Sequence, residues 1–302
     1  MSAKITNTFM MLLSAMIWGF AIVAQIYGAE HVDTFTMTGV RFLVGTLALL
    51  PVALFFEKKK LIPIFADKKK RTKAILSGLA AGVALFSATT IQHFGITTTG
   101  SAGIAGLITG LYTILVPLAC FLLFKTKIRF NVWIGAVCAL LGVFLLCYKP
   151  NEGVSLGVGE LILFVGTICW TVHFIILDKL SCNLPPLCLS VAQFSVCAVF
   201  GCIAMFLFEE PTVSAIFAAK IPILYCGLLS VGVAYTLQVV AQSKVPASLA
   251  VIVLSTESVF SAIGGVLFGT DTMTLLGGLG CAVFFFGIVI SQLEIKKKNS
   301  LE

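Results

Sequence analysis

Apolar residues run through this chain in long uninterrupted stretches, and polar residues collect in the short gaps between them. A helix needs about 20 apolar residues to cross about 30 Å of hydrocarbon. Ten segments meet that requirement: 8–28, 34–56, 74–94, 101–124, 130–147, 156–177, 185–208, 221–242, 247–269 and 274–292. Lipid offers no hydrogen bonds, so each span has to satisfy its own backbone and is expected to be helical. The longest gap is the basic stretch 57–73, which leaves no room for a soluble domain. The first run is long enough to span and lacks a small-residue cleavage site. It is therefore expected to be a retained helix rather than a signal peptide.

The spans repeat. A shift of 152 residues lays Trp18 on Trp170, Arg41-Phe42 on Gln193-Phe194 and Glu57 on Glu209. A shift of 149 lays Gly78-Leu79 on Gly227-Leu228 and Phe86 on Tyr235. A shift of 145 lays Ala102 on Ala247, Ala105 on Ala250, Gly135 on Gly280 and Gly142 on Gly287. The slow downward drift is what small loop deletions produce. Five spans per half is an odd number, so the second half enters the membrane upside down. The expected fold is all-α integral membrane, ten transmembrane helices as two inverted five-helix repeats, residues 1–148 and 149–302, the second with a basic C-terminal tail. Inverted repeats are typical of alternating-access transporters.

Composition agrees: 59% of residues are hydrophobic and 11% charged, against about 25% charged in a soluble domain. Most of the surface must face a lipid bilayer. The net charge of +7 does not point to nucleic acid, because its clusters lie in loops beside apolar runs. With a cytoplasmic N-terminus, seventeen Lys/Arg fall on the inner side and two, Lys149 and Lys220, on the outer. That imbalance predicts cytoplasmic termini and a multi-pass protein of the bacterial inner membrane. Ten cysteines occur without a CxxC, most inside apolar runs, so they are expected to be packing residues with no metal or cofactor.

Several motifs carry a resemblance. They are Leu13 to Trp18-Gly19 in the first span, Arg41-Phe42 in the second, and Gly110-Leu111-Tyr112 followed by Pro117 in the fourth. The ninth span has Ser255-Thr256-Glu257-Ser258-Val259-Phe260, and spans five and ten share paired glycines. Over residues 8–292 the chain resembles the drug/metabolite transporter superfamily, in its ten-helix EamA-like branch. It departs where the family often has Pro after the ninth-span Glu (here Ser258), and in Lys125-Thr126-Lys127 where an acid is common. Relatives that carry phosphorylated sugars are expected to need several membrane cations, and here Arg41 is the only clear one. It lies seven residues from its span's outer end and is expected to snorkel outward in a structural role.

Glu257 is the sharpest candidate. It lies ten residues into its span, about 15 Å of rise and close to the midplane, where inserting a carboxylate costs about 2.5–3.5 kcal/mol or more. It suits a cationic group or a coupling proton. Trp18 and Trp170, with Tyr112 and Tyr235, are expected to flank one cavity as an aromatic box for an ammonium group. Gln25, three residues past Ile22 on the Trp18 face, and Gln238, on the Tyr235 face, are the polar candidates. His173, three residues past Trp170 and on its face, is a further candidate for the substrate cavity, and His173 and His93 are candidate proton relays alongside Glu257. The small run Gly100–Gly106 is expected to serve close helix packing.

The membrane segments offer no paired carboxylates, metal-spaced His/Cys set or Gly-rich phosphate loop, and the sequence has no ATP-binding unit, so an enzyme is not expected. The expected function is secondary active transport of a small organic metabolite, an amino acid, amine or similar, by alternating access, with proton coupling through Glu257. The alternatives are an organic-cation or drug transporter and, less favoured, an intramembrane enzyme or sensor. Expected partners are the bilayer, a small-molecule substrate and protons, in a monomer or homodimer.

Overall fold

A computed structural model of the chain describes residues 3–126, 130–149, 153–154 and 157–292. The basic tail Lys296–Lys298 and two loop cations, Lys127 and Arg129, lie outside the described residues. The long helices are α1 (Ala3–Gly28), α2 (Thr34–Ala66), α3 (Lys68–Thr99), α4 in two pieces (Ala102–Gly110 and Tyr112–Phe124) and α5 (Phe130–Cys147). In the second half come α6 (Val158–Leu180), α7 (Pro186–Phe208), α8 (Lys220–Leu224, Tyr225–Tyr235 and Thr236–Gln242), α9 in two pieces (Ala247–Leu254 and Glu257–Leu267) and α10 (Leu275–Gln292). Two-residue strands, Tyr148–Lys149 and Gly153–Val154, pair between the halves. Among the described residues eight helices are long and apolar enough to cross a membrane, and two shorter apolar helices lie at 133–145 and 275–287.

The packing is unchanged when the halves are exchanged. Helices α5 and α10, α2 and α7, and α4 and α9 pack against their own mates. The α3/α6 contact has its mate in α1/α8, α1/α9 in α4/α6, and α3/α7 in α2/α8. A two-fold relation produces such reciprocity. It is plain at single residues. A Cβ on Gly142 would meet Gly280 O at 2.7 Å, and one on Gly287 would meet Gly135 O at 2.9 Å. These are the two glycine pairs that a shift of 145 superposes. Advancing along α5 means retreating along α10, so the mates run antiparallel and the repeat is inverted.

The α2/α7 pair shows the same symmetry at its two ends. The Glu209 carboxylate accepts the N–H groups of Phe35 (2.6 Å) and Thr36 (2.7 Å) at the start of α2. The Glu57 carboxylate accepts the N–H of Cys188 (3.0 Å) at the start of α7. Glu57 matches Glu209 and Thr36 matches Cys188 under one shift of 152. Each helix thus carries a carboxylate, Glu209 just past the end of α7 and Glu57 nine residues before the end of α2, that accepts from free N–H groups at the start of its mate. One turn in from the Glu209 end, Gly39 and Gly201 touch backbone to backbone: a Cβ on Gly201 would stand 2.6 Å from Gly39 Cα.

Three helices depart from a regular α-helix near mid-span. In α4 and α9 the ladder tightens for one turn, with Leu111 N bonded to Ile108 O (3.1 Å) and Thr256 N to Val253 O (3.2 Å). The dihedrals stay helical, so the rods pinch rather than end. In α9 the hydroxyls of Ser255 and Thr256 draw in the carbonyls of Ile252 (2.9 Å) and Val253 (2.7 Å), as side chains that bond back to the previous turn do. In α8 residues Tyr225–Tyr235 widen into a π-helix. Such segments are rare and concentrate at functional sites.

The small residues at the start of α4 let α9 approach. Ser258 Oγ donates to Gly106 O at 2.6 Å, and a Cβ on Gly106 or Gly110 would collide with Ser261 or Ser258. The outward surface is apolar, as at Phe55, Phe56 and Leu47. Arg41, Glu57 and Glu257 are buried.

Candidate functional site

The pinched turns and the π-helix surround one small buried cavity. Its aromatic wall is Trp18, Tyr112, Trp170, Phe174 and Tyr235. Its polar wall is Gln25, Arg41, Gln92, Thr109, Ser230 and Glu257. Its volume is about 20 Å³, room for about one water. Two pairs of repeat mates meet here. Trp18 and Trp170 have ring centroids 6.3 Å apart, and Tyr112 Oη donates to Glu257 Oε2 at 3.4 Å. Residues that face their own mates lie beside the two-fold axis, so the cavity sits on it.

Each helix has a local reason to present its residue. Glu257 begins the second piece of α9, and Tyr112 begins the second piece of α4. Tyr235 closes the π-helix and stacks on Trp170 (5.9 Å, 15°) and against Trp18 (4.7 Å). Trp18, Ile22 and Gln25 line the cavity from one face of α1, at the expected helical spacing.

Arg41 corrects the sequence expectation. It does not snorkel. It is 2% exposed, donates from Nη1 to Gln25 Oε1 at 2.8 Å, and lies 5.3 Å from the Phe42 ring. The amide acceptor and the aromatic face compensate the buried guanidinium in place that snorkelling would have solvated far away. Its Nε and Nη2, and the indole nitrogens of Trp18 and Trp170, meet no protein acceptor among the described residues. A buried donor left unmade costs about 1–3 kcal/mol, so these four positions reward any ligand acceptor placed against them.

Of the predicted residues, the cavity gathers Trp18, Gln25, Tyr112, Trp170, Tyr235 and Glu257. It does not gather Gln238, His173 or His93. Gln238 donates to Gln242 Oε1 (3.2 Å), and Gln242 donates to Phe174 O (3.0 Å), so those amides join α8 to α6, although Gln238 Oε1 meets no donor among the described residues. His173 stands behind Trp170, edge to ring at 5.5 Å, with Nε2 3.0 Å from Gln193 Oε1. His93 is fully buried away from the lining. Its neighbour Gln92, turned about 100° around α3, reaches the cavity and donates to Thr109 Oγ1 at 3.0 Å.

Sequence reasoning therefore missed Arg41, Gln92, Thr109, Ser230 and Phe174 as lining residues. Gln92 carried a usable signal, an amide inside an apolar span. Thr109 and Ser230 carried none, because single hydroxyls are frequent in membrane helices and usually bond their own backbone.

The EamA-like transporter family profile matches residues 6–148 and 157–293. Among similar proteins, the uncharacterized transporter YdfC of Bacillus subtilis (strain 168) is 25% identical over 91% of this chain and 85% of its own length. The uncharacterized transporter YoaV of the same organism is 23% identical over 94% of this chain and 96% of its own. A protein crystal structure, 18% identical, superposes with a TM-score of 0.70 over 95% of this chain and 96% of that one, which is a likeness of fold. With the family profile covering both halves and the fold shared, this chain is a multi-pass membrane protein that belongs to the EamA-like transporter family, within the drug/metabolite transporter superfamily.

Proposed function

We propose that the protein is a secondary active transporter of a small zwitterionic metabolite, an amino acid or close analogue. One observation carries this reading: a buried guanidinium, Arg41, and a buried carboxylate, Glu257, line the same cavity. A free amino acid bears a carboxylate and an ammonium group, and each has a complementary charge here. Arg41 has two unmade donors for the carboxylate. Glu257 and the rings of Trp18, Trp170 and Tyr235 suit the ammonium. Charges removed from water are strongly held only when paired, so such a site favours zwitterions over singly charged solutes.

An organic cation is the second reading, favoured by the cluster of rings. Arg41 opposes it, because a like charge in a dry cavity repels a bare cation.

The mechanism we infer is alternating access, with the inverted halves rocking about the axial cavity and Glu257 exchanging a proton for the solute's ammonium. At about 20 Å³ the cavity is closed around less than a metabolite, so helices must part to admit one. The pinched turns of α4 and α9 suit that motion. The charge imbalance supports cytoplasmic termini, and the bacterial relatives support the inner membrane. Counterflow into liposomes tests the reading. Amino acids should exchange, while their methyl esters and decarboxylated amines should not. Exchange of the amines and quaternary ammonium compounds alone would transfer the protein to the second reading.

A further inference from the structure

A second feature lies far from the cavity, at the turn between α2 and α3. Helix α2 has 33 residues and α3 has 32. At about 1.5 Å per residue each is close to 50 Å long, well beyond about 30 Å of hydrocarbon. Their joined ends therefore stand at the membrane–water boundary. These ends carry eight basic residues: Lys58, Lys59, Lys60, Lys68, Lys69, Lys70, Arg71 and Lys73, all exposed.

Little nearby acidity neutralises them. Glu57 caps α7 and pairs with Lys60 at 3.5 Å. The Asp67 carboxylate accepts the backbone N–H groups of Lys69 (2.8 Å) and Lys70 (3.0 Å). Among the described residues the other seven basic side chains form no ion pair.

Beside this cluster runs an open apolar groove of about 350 Å³. Leu61 and Phe65 wall it from α2, Ile75 and Leu79 from α3, and Ala192 and Val196 from α7. Leu61 directly follows Lys60, and the α3 wall begins at Ala74, directly after Lys73, so the groove opens at the charges. Phe65 is 45% exposed and Ile75 55%. A charge cluster alone sets topology, and an apolar groove alone faces lipid tails. A groove with positive charge at its mouth has the amphiphilic pattern of one molecule, with an anionic head and an apolar tail.

We propose that this face binds an anionic phospholipid, its phosphate held by the basic turn and one acyl chain lying in the groove. Basic residues near a bilayer surface each favour anionic lipid by about fivefold. The proposal is independent of the solute carried.

Native mass spectrometry of the full chain, released from micelles holding equal amounts of phosphatidylglycerol and phosphatidylcholine with identical acyl chains, reads the site directly. Wild type should retain phosphatidylglycerol in clear excess. Lys68→Gln, Lys69→Gln, Lys70→Gln and Arg71→Gln together should bring retention down to that of phosphatidylcholine. Thermal unfolding in phosphatidylcholine should be unchanged, because those side chains are exposed. Phe65→Gln with Leu79→Gln should weaken retention of phosphatidylglycerol while leaving the basic turn intact. Equal retention of both lipids by wild type would overturn the proposal. So would excess phosphatidylglycerol on the fourfold variant. Unaltered retention by the groove variant would show a phosphate site with no chain bound, and would overturn it as well.

Discussion

Tyr112 and Glu257 occupy the same position in the two repeats, 145 residues apart, and bond to each other at 3.4 Å across the axis that relates them. Each begins the second piece of a pinched helix. The scaffold treats the two positions alike, yet one carries a neutral phenol and the other a carboxylate. The same asymmetry extends around the cavity. Arg41 has Gln193 as its mate, Gln92 has Ala241, Thr109 has Leu254 and Ser230 has Ala81. A symmetric frame supports motion that opens either side by equivalent movements, while the unlike side chains set the chemistry.

Glu257→Gln keeps the size of the side chain and removes its charge. Loss of a charge-assisted bond to the solute is worth about 1.5–3 kcal/mol, so transport should fall about 10–100-fold, and its response to a pH gradient should vanish. Tyr112→Phe should lower transport less, because the phenol touches the carboxylate through a long bond. Initial rates in liposomes, with and without a pH gradient, check both. Gradient-dependent transport by Glu257→Gln at the wild-type rate would sink the role assigned to the carboxylate.

Arg41→Gln discriminates between solute classes. Uptake of zwitterions should drop about 10–100-fold through loss of a charged donor pair. Binding of amines should hold or improve, because the repelling charge is gone. Arg41→Lys should not restore zwitterion uptake, since an ammonium cannot reproduce the fork of the guanidinium. Competition by a matched amino acid, ester and amine reads this out. Equal loss for all three would mean that Arg41 serves structure alone.

The reciprocal glycines of α5 and α10 should be equally intolerant. Gly142→Leu and Gly287→Leu each push a side chain into the mate's backbone, and overpacking costs about 1–3 kcal/mol. Thermal unfolding in detergent should drop by a similar amount in each variant. Gly100→Ala sits in open space but at φ 64°, so any loss there would come from backbone strain rather than a clash.

The carboxylate caps of α2 and α7 should be unequal. Glu209 accepts two backbone N–H groups and the Thr36 hydroxyl. Glu57 accepts one backbone N–H and the exposed Lys60 ammonium. Losing a helix cap costs about 0.5–2 kcal/mol, so Glu209→Ala should be the more destabilising of the two. Thermal stability of the two variants, compared side by side, is the check, and the reverse order would contradict the bond pattern.

The membrane architecture was legible along the chain because its causes are local. Each span carries its own run of apolar residues, and each backbone bond closes within that span. Charge in the loops and the matching glycines of 130–147 and 274–292 gave the repeat and its inversion. The aromatic residues and Glu257 were legible as well, since each is costly or conspicuous in lipid. Arg41 shows where that reasoning stops. Its position seven residues from a span end suggested solvation from outside, and only packing revealed Gln25 and Phe42 waiting beside it. Rotation about a helix axis decided between His93 and Gln92, neighbours in sequence that face different surroundings. The pinch of α9 has a local cause, Ser255 and Thr256 bonding back to the turn before, whereas the widened turns of α8 carry no such signal within their span. Composition and spacing thus determined that the chain is a series of apolar spans in two repeats, while the cavity, lined by seven helices meeting at one axis, was decided by tertiary packing.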